Sequence, residues 1–352
     1  MKKMKTFTKF AMISILALGL IQIVNGQAGF KITVVHNGIS TFFPNINAAI
    51  AAAYAKDTIY LPGGAILFTG GISLSKRLII VGVGHYPDST TATTTTRINT
   101  SINIFPGADS GSISGCYLES VAFGAHDQSA IVNNFRIERC KINALTFTAD
   151  YATIGNPQNT IIRENVIVSA VGGTAFLTVF EKNIFYLDMG YNVMATFLNN
   201  IFYVSSNFTT GASGSIFNNN IIITNSSATI SLGTYNVYNN NLFCSTSTIM
   251  GFVTCGSTNT CTNNIYYQLA VNTFVNATTT NFSYSNNYRL KSTSPGKNAG
   301  GDGTDVGIFG TPFPYKDGAV PFNPHISSQT IGTVLSPTGN LSIDIKVSAQ
   351  DR

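Results

Sequence analysis

The chain has 352 residues, and only 10% of them are charged, well below the roughly one quarter that is usual for globular proteins. With 20 basic and 15 acidic residues, its formal net charge is +5, and asparagine, threonine, serine and glycine supply most of its polarity. This composition disfavours helices and favours short strands joined by tight turns. Four of the lysines lie in a predicted signal peptide, and the near-balance of charge in the remaining chain excludes nucleic-acid binding through bulk charge.

The first 26 residues have the pattern of a secretory signal peptide. A basic stretch from Lys2 to Lys9 precedes an apolar run from Phe10 to Val24, and a small residue, Gly26, follows at the cleavage point. The apolar run is shorter than the roughly 20 residues that a membrane span needs. Four of the 20 basic residues lie in this segment, so the mature chain keeps 16 basic and 15 acidic residues, a net charge of +1. We therefore expect a protein that is secreted or held at the cell surface, without a transmembrane segment after cleavage.

Residues 27–57 are predicted to form an N-terminal cap with one short helix. The stretch from Ile46 to Tyr54 (INAAIAAAY) is helical in character, and Asn45 precedes it as a plausible N-cap. Such a helix can cover the apolar cross-section that the first coil of a solenoid exposes. We expect the first coil to begin at residue 58.

One or two asparagines followed by an apolar pair recur along the rest of the chain. The asparagines of this repeat, spaced by 17 to 23 residues, are Asn165, Asn183, Asn200, Asn220, Asn241, Asn264 and Asn287, and counting backwards places Cys140 and Ser120 in the same position. A period near 20 with short apolar strands predicts an all-β fold, a right-handed parallel β-helix, over residues 58–310. Asparagine tolerates a left-handed bend between strands, and its amide can bond the asparagine of the next coil.

The charged side chains of the early coils fall beside this repeated position. Glu119, Arg139, Glu164 and Lys182 stand one residue before it, and Glu138, Arg163 and Glu181 stand two residues before it. The alternation of sign favours stacked ion pairs that fix the register between coils. The alternative is a catalytic cluster, whose candidate residues are Arg139, Lys141, Arg163 and Glu164.

Asp127 and Asp150 lie on predicted loops beyond the charged columns and are candidate binding residues. No metal site is predicted, since the chain has no CxxC pair or Cys/His cluster. Calcium is expected only if the protein is a lyase that neutralises a uronate, and no other cofactor is expected. The glycine-rich segment 301–307 (GDGTDVG) lacks the donors of a calcium loop, and we expect it to close the solenoid.

Five cysteines are an odd number for an exported protein. One local disulfide is expected among Cys244, Cys255 and Cys261, and its pairing stays open. Cys116 and Cys140 are about one coil apart and are predicted to stack inside.

Residues 311–352 differ from the coils and are predicted to form an extended tail and a strand. Prolines at 312, 314, 321 and 324 indicate an extended chain that runs along the solenoid. The stretch from Leu341 to Val347 alternates strictly between apolar and polar residues. It predicts a half-buried strand that covers the last coil or pairs with a sheet edge.

Two segments resemble a known superfamily. Residues 43–84 (FPNINAAIAAAYAKDTIYLPGGAILFTGGISLSKRLIIVGVG) resemble the N-terminal coils of the pectate-lyase-like right-handed β-helix superfamily. Residues 294–310 (SPGKNAGGDGTDVGIFG) are similar to the closing segment of secreted β-helix proteins of Bacteroidetes type. The resemblance implies the fold and leaves the activity open, because this superfamily contains lyases, hydrolases, adhesins and inert solenoids.

Two classes of function follow. The favoured one is a non-catalytic protein that binds an extracellular polysaccharide, a cell-surface glycan or another macromolecule along its face. Its aromatic candidates are Tyr186, Tyr191, Tyr203, Tyr266, Tyr267 and Tyr288. The alternative is a polysaccharide lyase or glycoside hydrolase that acts on an acidic polysaccharide.

Overall fold

The computed structural model describes residues 31–66, 70–124, 131–147, 157–186, 194–204, 208–209, 212–225, 230–247, 253–277, 279, 281–322 and 324–349. The predicted signal peptide, the candidate binding residues Asp127 and Asp150, and Tyr191 lie outside these ranges. Within them, no helix is both long enough and apolar enough for a membrane span.

Two sheets wind into a parallel β-solenoid, which confirms the predicted β-helix architecture. Strands are numbered here in chain order. In the described part of the chain the first sheet runs through β2 (Ile39–Phe43), β1 (Ile32–His36), β3 (Thr58–Tyr60), β6 (Ile79–Val81), β8 (Ser112–Ser114), β10 (Arg136–Glu138), β12 (Ile161–Arg163), β14 (Thr178–Glu181), β16 (Ala195–Leu198), β18 (Ile216–Asn218), β20 (Val237–Asn239) and β22 (Thr260–Thr262). The second runs through β4 (Gly64–Ile66) with β5 (Ile72–Leu74), then β7 (Thr96–Ile104), β9 (Tyr117–Phe123), β11 (Lys141–Thr146), β13 (Val166–Gly172), β15 (Ile184–Phe185), β17 (Ile201–Val204), β19 (Ile221–Thr224), β21 (Leu242–Ser245) and β23 (Ile265–Leu269). Each coil thus adds one strand to each sheet. Of the described strands in the two sheets, only β1 and β2, at the start of the first sheet, pair antiparallel.

The core between the sheets is built from side chains that stack coil upon coil. Phe180, Phe197, Phe217 and Tyr238 occupy one inward column of the first sheet, with neighbouring ring centroids 4.6–4.9 Å apart. All four are fully buried. The repeat of one apolar type at one register position therefore gives a continuous stacked core.

The asparagine ladder is confirmed from Asn165 to Asn264. Along it, each side-chain amide donates to the carboxamide oxygen of the next asparagine at 3.0–3.1 Å. The same oxygen also accepts from the backbone N–H of the preceding ladder residue, beginning with Cys140. The ladder thus satisfies buried backbone and side-chain groups together.

The left-handed bend lies one residue earlier than predicted. At this bend the residues with positive φ, between 54° and 58°, are Arg139, Glu164, Lys182, Asn199, Asn219, Asn240 and Asn263. The ladder asparagines themselves are free of this constraint, so their amides can turn inward. Where the motif has two asparagines, the first adopts the left-handed backbone conformation, and the second contributes its side chain to the ladder.

The predicted position of Ser120 in the ladder was wrong. Lys141 pairs with Tyr117, so the residue in register with Cys140 is Cys116, and Ser120 lies opposite Ala144. Glu119 consequently leaves the charged column, where Gly115 takes its place with φ 66°. The coils differ in length, and a count along the sequence does not capture this variation.

Asn287 also falls outside the ladder. It belongs to β25 (Asn287–Leu290), which pairs antiparallel with β24 (Phe274–Asn276) beyond the last coil. A short helix α2 (Ala270–Thr273) precedes this pair and follows β23 directly. The asparagine motif at Asn287 therefore lies in an antiparallel strand pair and not in a further coil of the solenoid.

The other end carries the predicted helix, α1 (Ile46–Ala52). The side chain of Asn45 accepts from the backbone N–H of Ala48 at 2.8 Å, which confirms the N-cap. Ile46, Ala49 and Ile50 are buried against the first coil. Of the cysteines, Cys255 and Cys261 form the local disulfide, and Cys116, Cys140 and Cys244 are buried free thiols.

The C-terminal part first runs along the flank of the solenoid and then leaves it. Residues 294–322, called here the strap, lie beside the column of left-handed residues. After the strap, β26 (His325–Ile331) and β27 (Ile343–Ser348) form an antiparallel hairpin. The predicted strand is present, but it is not half-buried, because β27 is exposed along its whole length. Among the described residues it pairs only with β26, so neither placement expected for it, over the last coil or along an edge of the coil sheets, is found.

Candidate ligand-binding pocket

The strap explains why the charged column is buried. Arg139 Nη1 donates to the carbonyl of Val320 at 2.6 Å, and its guanidinium carbon lies 3.9 Å from the centre of the Phe322 ring. Further along, Gly301 N–H donates to Asn219 Oδ1 and Gly307 N–H donates to the Asn219 carbonyl. The glycine-rich segment therefore packs on the flank of the coils, and not over the end of the solenoid as predicted.

Glycine is required where the strap touches the coils. Gly307 has φ 82°, and a Cβ atom there would lie 2.6 Å from Ile221 Cδ1. At Gly310 a Cβ atom would lie 2.0 Å from the carbonyl oxygen of Asp305. Gly307 thus makes room for a coil side chain, and Gly310 makes room for the strap's own turn.

The charged columns are ion-paired as predicted. Arg139 Nε lies 2.6 Å from Glu164 Oε2, and both side chains are buried. Arg163 Nη2 lies 2.7 Å from Glu138 Oε1 in the neighbouring column. Lys182 pairs with Glu181, which crosses from one column to the other.

The catalytic candidates therefore fall into two groups. Arg139, Arg163 and Glu164 are engaged in ion pairs between coils and do not converge in an open groove. Their catalytic role stays a prediction, and their described contacts are those of register-fixing pairs. Lys141 differs, since no carboxylate lies within 4 Å of it among the described residues.

Lys141 stands among aromatic rings on the outer face of the second sheet. Its ammonium nitrogen lies 5.0 Å from the centre of the Tyr117 ring, 5.1 Å from that of Phe282 and 5.5 Å from that of Tyr284. Burial and the nearby Arg97 lower the pKa of Lys141. The more distant carboxylate of Glu119 acts in the opposite direction. The aromatic faces stabilise the cation in the absence of a direct ion pair.

Tyr284 connects this cation to a pocket of about 340 Å³, the tyrosine pocket. Its aromatic lining consists of Tyr86, Tyr284, Tyr288, Tyr315 and Phe309, and its polar lining includes Asp88, Ser89, Asn286, Asn287, Arg289 and Asp317. Three parts of the chain meet here: the turn after β6, the end structure with β25, and the strap. The pocket exists because the strap folds back along the solenoid.

A hydrogen-bond network holds the rings in place. Asn286 Nδ2 donates to the hydroxyls of Tyr186 and Tyr288 at 3.1 Å each, and these two hydroxyls are 2.7 Å apart. On the opposite side, the hydroxyls of Tyr86 and Tyr315 lie 3.3 Å apart. Burial raises the pKa of Tyr315 well above its usual value and that of Tyr284 to about 12, so both stay neutral at physiological pH.

The mouth of the pocket carries an exposed ion pair. Arg289 Nη2 lies 2.6 Å from Asp317 Oδ2, and its guanidinium carbon lies 4.3 Å from the centre of the Phe309 ring. Both side chains of the pair are more than half exposed. Solvent-accessible donors and acceptors thus stand at the rim of an aromatic floor.

His85 lies behind the rings. It is 1% exposed, its ring centroid is 4.6 Å from that of Tyr86, and neither ring nitrogen has a hydrogen-bond partner among the described residues. Burial, with a smaller effect of Lys141, lowers its pKa from 6.5 to about 3. The imidazole is therefore neutral and acts as an apolar support for Tyr86 at physiological pH.

A metal centre finds no support in the described residues, where no cluster of three or more His, Cys, Asp or Glu side chains could hold an ion. Asp302 instead accepts from the backbone and hydroxyl of Thr304, and Asp305 pairs with Lys297. Both aspartates are thus engaged in contacts within the strap.

The sequence indicated only one residue of this pocket, Tyr288. Tyr86, Tyr284, Tyr315 and Phe309 are far apart in the chain and outside the repeat, so periodicity gives no sign of them. Of the other tyrosine candidates, Tyr203 is buried and bonds the Ala277 carbonyl, and Tyr267 is exposed away from the pocket lining. The pocket residues come together because the strap folds back along the solenoid, and the sequence pattern does not indicate this folding.

The chain matches no protein-family model, no curated protein and no solved structure. The resemblance to the pectate-lyase-like superfamily consequently stays a prediction from the two quoted segments. The parallel β-solenoid is observed directly in the pairing of the strands.

Proposed function

We propose that this is an extracellular, non-catalytic β-helix protein that binds a glycan in the tyrosine pocket. The observation that carries the proposal is a concave site with an aromatic floor and a rim of amide and charged groups. The predicted signal peptide supports an extracellular location.

The chemistry of the lining suits a sugar. Aromatic faces pack against the C–H faces of pyranose rings, and neutral tyrosines add hydroxyl groups at the edge of that surface. Asn287 and the Arg289–Asp317 pair offer both donors and acceptors for sugar hydroxyls. A volume of about 340 Å³ lies at the lower end of the range for small-molecule sites and corresponds to one or two sugar units of a longer chain.

The scaffold supports binding by keeping the site rigid. Stacked coils and the hydrogen bonds of Asn286 fix the floor before a ligand arrives. A preformed site loses less conformational freedom on binding, which favours affinity for a weakly apolar ligand such as a glycan.

A polysaccharide lyase is the second candidate, and Lys141 is the observation in its favour. Its lowered pKa, its lack of an ion pair among the described residues and its position beside Tyr284 are properties of a general base. This alternative requires a uronate-containing substrate, and calcium would be a cofactor only in this case.

The test is a glycan panel that includes neutral and uronate-containing polysaccharides, applied to the purified protein with and without calcium. We expect retention of at least one glycan class, loss of retention in Tyr284→Ala, and no new absorbance from unsaturated products. Unsaturated products that vanish in Lys141→Met would replace the binding proposal with the lyase. A blank panel for the folded wild-type protein would contradict both.

A further inference from the structure

The C-terminal hairpin leaves one sheet edge open. The edge of β26 that faces away from β27 contacts the solenoid. Thr91 Oγ1 donates to the Ser327 carbonyl at 3.3 Å, and Gln329 Nε2 donates to the Ala92 carbonyl at 3.1 Å. The outer edge of β27 has no partner strand among the described residues. A two-stranded hairpin is marginally stable alone in water and gains from further strands.

The register of the hairpin shows which groups that edge offers. Gly332 N–H donates to the Ser342 carbonyl at 2.7 Å, and Ile331 lies opposite Ile343. Because hydrogen-bonding directions alternate along a strand, residues 342, 344 and 346 face β26. The backbone N–H and C=O groups of Ile343, Ile345 and Val347 consequently point outward.

These three residues are also exposed apolar side chains. Ile343, Ile345 and Val347 are 57%, 50% and 61% exposed, all on one face of β27. Asp344 and Lys346 alternate with them on the other face. An apolar strand with outward backbone groups is a template for pairing with another strand.

We infer that the outer edge of β27 pairs antiparallel with the same edge of a second copy of this chain, with Ile345 on the two-fold axis. The sequence is complementary to itself about this residue. Antiparallel pairing centred on Ile345 places Asp344 opposite Lys346 of the second copy, and Lys346 opposite Asp344, so that both ion pairs form at once.

The backbone geometry agrees with this register. The outward N–H and C=O groups of Ile345 meet those of Ile345 in the second copy, and those of Ile343 meet those of Val347 in the second copy, as hydrogen-bonded pairs. Asp344 and Lys346 then form the non-hydrogen-bonded pairs, in which side chains approach most closely. The result is a continuous four-stranded sheet made from two hairpins.

The experiment is sedimentation equilibrium of the purified full chain over a wide concentration range. We expect a monomer–dimer equilibrium that Asp344→Lys and Lys346→Asp each weaken by about tenfold or more, because each places like charges opposite one another. An equimolar mixture of these two variants should dimerise, since every lysine at positions 344 and 346 of the first variant then faces an aspartate of the second. The double variant D344K/K346D should dimerise like the wild type.

Val334→Lys is the matched control, because it adds charge to the exposed loop of the same hairpin without altering the β27 edge. It should leave the dimer unchanged, and circular dichroism should show every variant folded. A wild-type chain that stays monomeric would overturn the proposal. A dimer that ignores both charge reversals would also overturn it, because that dimer would use another surface.

Discussion

The guanidinium of Arg139 on one coil and the carboxylate of Glu164 on the next form a buried ion pair, with Nε 2.6 Å from Oε2. Both residues adopt the left-handed conformation, with φ 54° and 56°. The strap seals the pair, since Arg139 also bonds the Val320 carbonyl. The charged column and the strap thus stabilise one another, although they are far apart in the sequence.

Glu164→Ala should therefore be strongly destabilising. The substitution leaves the Arg139 guanidinium buried without its carboxylate, and losses of this kind amount to about 3–5 kcal/mol in the free energy of unfolding. Denaturant unfolding followed by circular dichroism measures the change.

The exposed pair at the pocket mouth provides the control. Asp317→Ala removes a carboxylate from Arg289, but both partners are more than half exposed, and we expect a loss of less than about 1 kcal/mol. Equal losses at Glu164 and Asp317 would mean that burial under the strap does not determine the strength of the pair.

Alanine substitution in the middle of the asparagine ladder should lower the free energy of unfolding more than the same substitution at its end. Asn220→Ala removes the acceptor of the Asn200 backbone and side chain and the donor to Phe197 and Asn241, all of them buried. We expect a loss of about 3 kcal/mol or more in the free energy of unfolding, since several buried polar groups lose partners.

Asn264→Ala tests the same chemistry at the last rung. Asn264 is only partly buried and serves one neighbour, Asn241, together with the Tyr238 carbonyl. Its loss should cost about half as much as that of Asn220, as measured by the same unfolding experiment. Equal losses at the two positions would argue against a cooperative ladder.

The residue before each ladder residue has a left-handed backbone, which is strained for any residue with a Cβ atom and not for glycine. At Asn263, which is exposed with φ 54°, alanine should reduce the free energy of unfolding by about 1 kcal/mol, and glycine should be close to neutral. Thermal unfolding of the two variants measures this difference. A neutral alanine variant would contradict the assignment of the bend to this residue.

His85 should make the fold sensitive to acid. Its pKa is about 3 when buried and 6.5 as its ordinary value, so the unfolded chain takes up a proton between these values while the folded chain does not. Stability from this group is full above pH 6.5 and is lost as the pH falls toward 3, by about 3 kcal/mol between pH 7 and pH 4.

The measurement is the free energy of unfolding of the wild type and of His85→Phe across that pH range. The variant keeps an aromatic ring behind Tyr86 and cannot be protonated. Between pH 7 and pH 4, the free energy of unfolding of the variant should fall by about 3 kcal/mol less than that of the wild type. Parallel curves would show that His85 is not the acid-sensitive group.

The regular parts of the molecule follow from the sequence and the pocket does not. Asn165 to Asn264 mark the coils because each repeats the same local chemistry, and Arg139 and Glu164 could be paired by counting within one register. Ser120 was misplaced because the coils vary in length, which a fixed count does not capture. Tyr86 and Tyr315 meet only when the strap turns back along the solenoid, and neither residue belongs to the repeat.

Glycan binding by the pocket tyrosines can be measured by isothermal titration with the glycan that the panel identifies. We expect Tyr284→Ala to weaken binding at least about tenfold. Tyr235→Ala, which removes a tyrosine that is 68% exposed and outside the pocket lining, should leave the affinity unchanged. Equal affinities for wild type and Tyr284→Ala, with both proteins folded, would contradict glycan binding by these tyrosines.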